Sequence, residues 1–153
     1  MTKTIPGLLL AVVGAGAFAV ASFAGNAGAA PRSGELHVAK ECSEYHGVAG
    51  EHCTITWSNL KAIKGGSNVV YAQGANFGTL TLDSDLVIDG PGDNTAFGHV
   101  VLNLVTSSGS ITFSGGTGVF SGFHASVGVT YNPVEGLWHW DGTYSFTPPG
   151  QDD

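Results

Sequence analysis

The chain has 153 residues, a formal net charge of −7 and only 11% charged residues, and 24 of its residues are glycine. The length indicates one domain. The excess of acidic residues argues against a nucleic-acid partner, because a phosphate backbone would be repelled. Many glycine, serine and threonine residues with few charges are typical of an all-β extracellular domain. A disordered tail is not predicted, because 42% hydrophobic residues can fill a core.

The first 29 residues have the pattern of a signal peptide. One lysine, Lys3, precedes the uncharged apolar run 5–23, and the Ala-Gly-Ala sequence at 27–29 is typical of a cleavage site. Cleavage after residue 29 predicts a secreted chain with no stable membrane insertion. Four basic residues would then remain against twelve acids, a formal charge of −8. The alternative is an uncleaved membrane anchor, which the length of the apolar run allows.

After the signal peptide we expect an N-terminal segment at 30–53, a β-barrel domain at 54–148 and a short tail at 149–153. The chain has two cysteines, Cys42 and Cys53. An even number of cysteines in an exported chain predicts one disulfide, and we favour this structural role over a catalytic thiol.

Alternation of apolar and polar residues predicts about eight short strands and no sustained helix in the mature chain. The glycine-rich run 114–118 marks a bend. Many short strands joined by turns of hairpin length are typical of a sandwich or a barrel, and an eight-stranded antiparallel barrel leaves no exposed edge. The predicted strands are residues 35–39, 53–59, 68–73, 80–89, 96–106, 110–114, 123–131 and 137–146.

Strand parity predicts which side chains face the interior. In the last predicted strand Trp138, Trp140 and Tyr144 alternate with polar residues, and we expect Trp57 and Tyr71 to point inward as well. The simplest interpretation is core packing, since aromatic side chains dominate buried area. The alternative is the wall of a cavity for an apolar small molecule.

Ser84, between Leu82 and Leu86, is the one polar residue predicted on the inward face of its strand. It either orients a ligand or bonds a backbone carbonyl, and we favour the second role. The candidate ligand-binding residues are therefore Trp57, Tyr71, Ser84, Trp138, Trp140 and Tyr144.

No metal site or cofactor is predicted. His46 and His52 flank the cysteine loop, but their spacing with nearby glutamates matches no known metal-binding pattern. Asp83 and Asp85 share an outward face, where a solvated acidic surface is favoured over a weak calcium site. Hydrolase and phosphate-loop motifs are absent.

The run ITFSGGTGVFSG at 111–122 resembles the allene oxide cyclase and dirigent superfamily. In that superfamily a Gly-Gly-(Thr/Ser)-Gly-x-Phe element precedes the last hairpin of an eight-stranded antiparallel, calycin-like barrel. The resemblance implies a cavity for an apolar small molecule and a homo-oligomer, whose interface we would expect on strand 96–106. It does not transfer the activity, because no glutamate is predicted to face inward and Arg32 is the only arginine.

The predicted function is that of a secreted β-barrel protein that binds an apolar small molecule in its cavity. One alternative is an isomerase or cyclase of the allene oxide cyclase or dirigent type. The other is a secreted structural or surface protein with a filled core and no ligand.

Overall fold

The computed structural model describes residues 32–148, which form a closed barrel of antiparallel strands in sequence order. The predicted fold, an all-β protein with an eight-stranded antiparallel barrel, is confirmed. A 3₁₀ turn, Gly118–Phe120, lies between the sixth and seventh strands. The predicted signal peptide and C-terminal tail lie outside the described residues. The strands are β1 (Ser33–Glu41), β2 (His52–Ser58), β3 (Asn68–Tyr71), β4 (Thr81–Asp89), β5 (Thr95–Asn103), β6 (Ser108–Gly116), β7 (Phe123–Asn132) and β8 (Leu137–Phe146).

The first strand closes the barrel. β1 pairs with β8 from Ser33↔Ser145 to Lys40↔Trp138, and on its other side it pairs with β2. The barrel therefore begins inside the segment 30–53, for which the sequence predicts a separate N-terminal segment. Within residues 32–148 no helix has the length and apolarity needed to cross a membrane.

Alternating side chains fill most of the interior. In β4, Leu82, Ser84, Leu86 and Ile88 are buried while the residues between them are more exposed. Trp140 is the largest fully buried side chain and belongs to one continuous hydrophobic core. Each such apolar side chain stabilises the fold by roughly 1.5–3 kcal/mol relative to its exposed state.

The two ends of the barrel differ. At one end the loop 59–67 brings Leu60 and Ile63 into the core, and the 3₁₀ turn brings in Phe120. These side chains close that end. At the other end lie the disulfide loop and the connections after β3, β5 and β7, and we call this the open end.

Trp57 does not face the interior, so that prediction is wrong. It is 55% exposed. Ala39 pairs with Trp57 while the next residue, Lys40, pairs with Ile55, so β2 contains one extra residue at this point. This β-bulge changes the side to which the following residues point, and it leaves Trp57 on the outer surface.

The glycine-rich run does bend, although β6 extends into it. The pairing of β5 with β6 shifts between Phe97 and Gly98, which places a second bulge there. A Cβ atom at Gly116 would collide with the carbonyl oxygen of Thr95 and with Phe120. Glycine at this position therefore allows the 3₁₀ turn to lie against the barrel end.

Candidate functional site

A lysine lies inside the barrel near the open end. Lys40 is only 4% exposed, and its backbone pairs with Ile55 of β2 and Trp138 of β8. The predicted first strand ends at residue 39 and leaves Lys40 in the cysteine loop, and this prediction is wrong because β1 extends to Glu41. Lys40 continues the inward parity of Leu36 and Val38, and that signal could have identified it.

The Lys40 ammonium group has few polar partners. Its Nζ atom lies 2.5 Å from the hydroxyl oxygen of Tyr71 and 3.5 Å from the Sγ atom of Cys42. The Tyr71 hydroxyl in turn lies 3.6 Å from the Sγ atom of Cys53. Sulfur is a weak acceptor. Among residues 32–148 no carboxylate forms an ion pair with Lys40.

Aromatic rings surround the same amine. Its Nζ atom is 5.2 Å from the ring centroid of Tyr71, 5.8 Å from that of Trp138 and 5.6 Å from that of Trp140. The Tyr45 ring packs on Tyr71 with a centroid separation of 4.7 Å. Cation–π attraction of this kind is worth about 0.5–2 kcal/mol and offsets only part of the cost of burying a charge.

Burial changes the protonation of both groups in this pair. Loss of solvent lowers the pKa of Lys40 from 10.5 to about 7. Burial also raises the pKa of the Tyr71 hydroxyl, and the neighbouring Tyr45 adds to this effect. Near neutral pH a substantial fraction of the amine is therefore uncharged, while the phenol keeps its proton. An uncharged lysine is a base and a nucleophile.

The amine and the phenol line a small cavity of about 50 Å³. Its outer wall includes the partly exposed side chains of Tyr45, Leu104 and Trp138. Pockets for drug-sized ligands measure roughly 300–1,000 Å³, so this cavity admits only a few non-hydrogen atoms. The aliphatic part of its lining consists of Leu82, Val100, Leu102, Leu104, Ile111 and Val129.

The disulfide loop lies over this site. The predicted Cys42–Cys53 disulfide is confirmed. Two backbone hydrogen bonds join the loop to β3. The Gly50 amide donates to the Tyr71 carbonyl at 2.7 Å, and the Tyr71 amide donates to the Glu51 carbonyl at 3.0 Å. The Tyr45 hydroxyl in this loop is buried and has no hydrogen-bond partner in the described part of the chain.

Three of the predicted ligand-binding residues meet at Lys40. Tyr71 and Trp138 line the cavity, and the Trp140 ring lies against the amine without lining the cavity. The Nε1 atom of Trp140 is buried and has no hydrogen-bond partner within residues 32–148.

The other three predicted residues lie elsewhere. Ser84 accepts a hydrogen bond from the Gln73 amide at 3.0 Å and donates one to the Asp85 carbonyl at 2.7 Å, so it bonds the backbone as favoured above. Tyr144 is buried nearer the closed end, where its ring contacts Phe146. Trp57 lies on the outer surface.

Apolar side chains surround the open end. Ten large hydrophobic residues are exposed in the described chain, and six of them lie on loops or strand ends at this end of the barrel. The other connections contribute only Val119. The six residues, which we call the apolar rim, are Val48, Phe77, Leu80, Val105, Tyr131 and Val134.

On the outer face of β4 and β5, one histidine contacts two acidic side chains. His99 lies between two carboxylates, with Nδ1 2.9 Å from Asp85 and Nε2 2.7 Å from Asp83. The Asp85 carboxylate raises the pKa of His99, and Asp83 adds to this effect. Residues 32–148 contain no group of three or more histidine, cysteine or acidic side chains arranged to hold a metal ion.

Comparisons of the chain with protein families, with curated proteins and with solved structures found no match. The resemblance to the allene oxide cyclase and dirigent superfamily therefore stays a prediction. A shared fold would not transfer an activity in any case, so a function has to follow from the chemistry around Lys40.

Proposed function

We propose that this protein is an exported β-barrel that binds a small, mostly apolar molecule with one polar group at the open end. The observation that carries the proposal is the Lys40 amine, which is buried, has no carboxylate partner in residues 32–148 and lines a cavity. The polar group of the ligand would contact the Lys40 amine and the Tyr71 hydroxyl. Its apolar part would contact the aliphatic lining.

The energetics of Lys40 support a role in binding. Burying an ammonium group costs several kcal/mol even after the protein relaxes, and an apolar side chain of similar size would avoid this cost. Lysine is rarely buried without a partner. Residues that reduce stability in this way are expected at functional sites, where activity and stability compete.

The dimensions of the site restrict the ligand. The barrel core is filled below Lys40, and the cavity of about 50 Å³ cannot enclose a fatty acid. The apolar rim offers additional contact area for a ligand that extends out of the cavity. A binding site of this form therefore favours a ligand that has a compact polar group and at most a short apolar chain.

Two features support export. The Cys42–Cys53 disulfide is typical of oxidising compartments, although it does not by itself identify one. The pattern of the first 29 residues is that of a cleaved signal peptide.

Tryptophan fluorescence tests the proposal. The Trp57→Phe variant removes the emission of the exposed tryptophan and leaves Trp138 and Trp140, both beside the Lys40 amine. We expect a saturable change in their emission with 1-propanol, propanal or propionate. The matched control is Trp57→Phe combined with Lys40→Met, in which the response should be lost. If no probe changes the emission, the alternative of a filled core without a ligand gains support.

A further inference from the structure

Building on the proposed function, we infer that the ligand class is small aldehydes and ketones, which Lys40 binds covalently by forming a Schiff base. The geometry that points to this class is a buried amine next to a phenol in a small apolar cavity. The nucleophile is the Nζ atom of Lys40. The proton donor is the hydroxyl group of Tyr71.

The surroundings of the amine favour a carbonyl compound over an anion. A carboxylate ligand would have to lose its hydration in an apolar cavity to which residues 32–148 contribute one amine, the side chains of Tyr45 and Tyr71 and no second cation. An uncharged carbonyl group avoids most of this cost. Because burial also holds the pKa of Lys40 near 7, the uncharged amine that attacks a carbonyl is available at neutral pH.

The positions of the two groups suit the reaction. The lone pair of Nζ forms a bond to the carbonyl carbon, and the π electrons of the C=O bond move to the oxygen. That oxygen takes the proton of the Tyr71 hydroxyl, which lies 2.5 Å from Nζ, and the phenolate recovers a proton from the nitrogen. The carbinolamine then loses its hydroxyl group with the remaining nitrogen proton as water. The net reaction joins an amine and a carbonyl to give an imine and water, with no change in oxidation state.

The size of the cavity limits the substrate further. A carbonyl carbon bonded to Nζ would lie in the cavity of about 50 Å³ that Lys40, Tyr71 and Trp138 line. At roughly 30 Å³ per water molecule in the liquid, the cavity holds fewer than two waters, so it encloses the carbonyl group and the adjoining carbon, and any further carbon must extend towards the apolar rim. Long-chain or branched aldehydes should react more slowly.

Reductive trapping tests the inference. The full mature protein is incubated at pH 7 with propanal and sodium cyanoborohydride, which converts an imine to a stable propylamine, and the modified lysines are found by peptide mass spectrometry. The exposed Lys61 and Lys64 serve as internal controls. We expect Lys40 to be modified at least about tenfold faster than either, since a lowered pKa raises its uncharged fraction by more than that. Tyr71→Phe should slow the reaction, and Lys40→Met should abolish it at this position.

The outcomes separate this inference from the proposed function. Trapped propanal at Lys40, ahead of Lys61 and Lys64, supports both. A fluorescence response to propanal and 1-propanol alike, without a trapped adduct at Lys40, overturns the covalent reaction and leaves the binding function standing. A response to propionate alone overturns the carbonyl class in the same way. No adduct and no fluorescence response overturn both. Circular dichroism of each variant shows whether its barrel is intact.

Discussion

The Nζ atom of Lys40 and the hydroxyl oxygen of Tyr71 are 2.5 Å apart, although 31 positions separate the two residues in the chain. β1 and β3 both pair with β2, and this arrangement brings the two side chains together inside the barrel. Both are at least nine-tenths buried, at 4% and 3% exposure. The Lys40 amine, which can carry a charge, therefore lies in surroundings that disfavour a charge.

The Lys40→Met variant should be more stable than the natural protein at pH 6–7, by about 1–4 kcal/mol. The folded pKa of Lys40 is about 7 and its ordinary value is 10.5, so between these values the unfolded chain binds more protons. The free energy of unfolding of the natural protein should therefore rise with pH across this window, by at most about 1.4 kcal/mol per pH unit. The difference in free energy of unfolding between the natural protein and Lys40→Met should therefore decrease towards pH 10.

Urea unfolding at pH 6, 7, 8 and 9 measures this difference. The Lys61→Met variant is the matched control, because it removes an exposed lysine from the same chain. A Lys40→Met protein that is less stable at pH 6, or a stability gap that does not change with pH, would contradict the buried position of Lys40.

Much of the fold follows from strand parity, and the inward parity of Leu36 and Val38 extends to Lys40. The residues of β8 alternate so regularly that the sequence predicts both the strand and its inward side, with Trp138 and Trp140. The predicted strand 35–39 nevertheless stops at Ala39 and leaves Lys40 in the cysteine loop. Parity gives the side to which Lys40 points, whereas its burial depends on the pairing of β1 with β8, which a local pattern does not show.

Trp57 illustrates a second limit. Parity counts residues from one end of a strand, and one extra residue at a bulge reverses the assignment of everything beyond it. Neither Thr56 nor Trp57 has a side chain that marks a bulge. The extra residue becomes visible only in the register against Ala39 and Lys40.

Substitution of the two tryptophans should distinguish their positions. Trp140→Ala removes a fully buried ring and should lower the free energy of unfolding by about 3–5 kcal/mol. Trp57→Ala removes a ring that is 55% exposed and should cost less than about 1 kcal/mol. Chemical denaturation of the two variants provides the comparison. Similar losses in both would mean that the bulge in β2 is misplaced.

Two glycines in neighbouring strands should respond differently to alanine. A Cβ atom at Gly142 would collide with the carbonyl oxygen of Ser126 and lie 2.7 Å from the Cα atom of Val127. Gly142→Ala should therefore cost at least about 3 kcal/mol or prevent folding. At Gly128 the nearest atom, the carbonyl oxygen of Asp141, is 3.7 Å away, so Gly128→Ala should stay within about 1 kcal/mol of the natural protein.

Thermal unfolding with circular dichroism detection compares these two alanine variants. The close approach of β7 and β8 would be refuted if Gly142→Ala melted at the same temperature as Gly128→Ala.

His99 should titrate above the ordinary histidine pKa of 6.5, because its ring bonds to Asp85 and Asp83. A raised folded pKa means that the stabilisation by these bonds is fully present below pH 6.5 and is lost as the pH rises through the folded pKa. NMR titration of the ring protons measures the value. Asp85→Asn should lower it, whereas Asp89→Asn on the same strand should leave it unchanged. A His99 pKa that is insensitive to Asp85→Asn would exclude the contact.

The protonation of Lys40 itself can be observed by following the ¹³Cε resonance of ¹³C-labelled lysine through a pH titration. The signal of Lys40 is identified by its loss in the Lys40→Met variant. A buried amine at the open end of the barrel, available to a ligand, predicts a titration midpoint near pH 7. A midpoint near 10.5, as for a lysine in water, would contradict it.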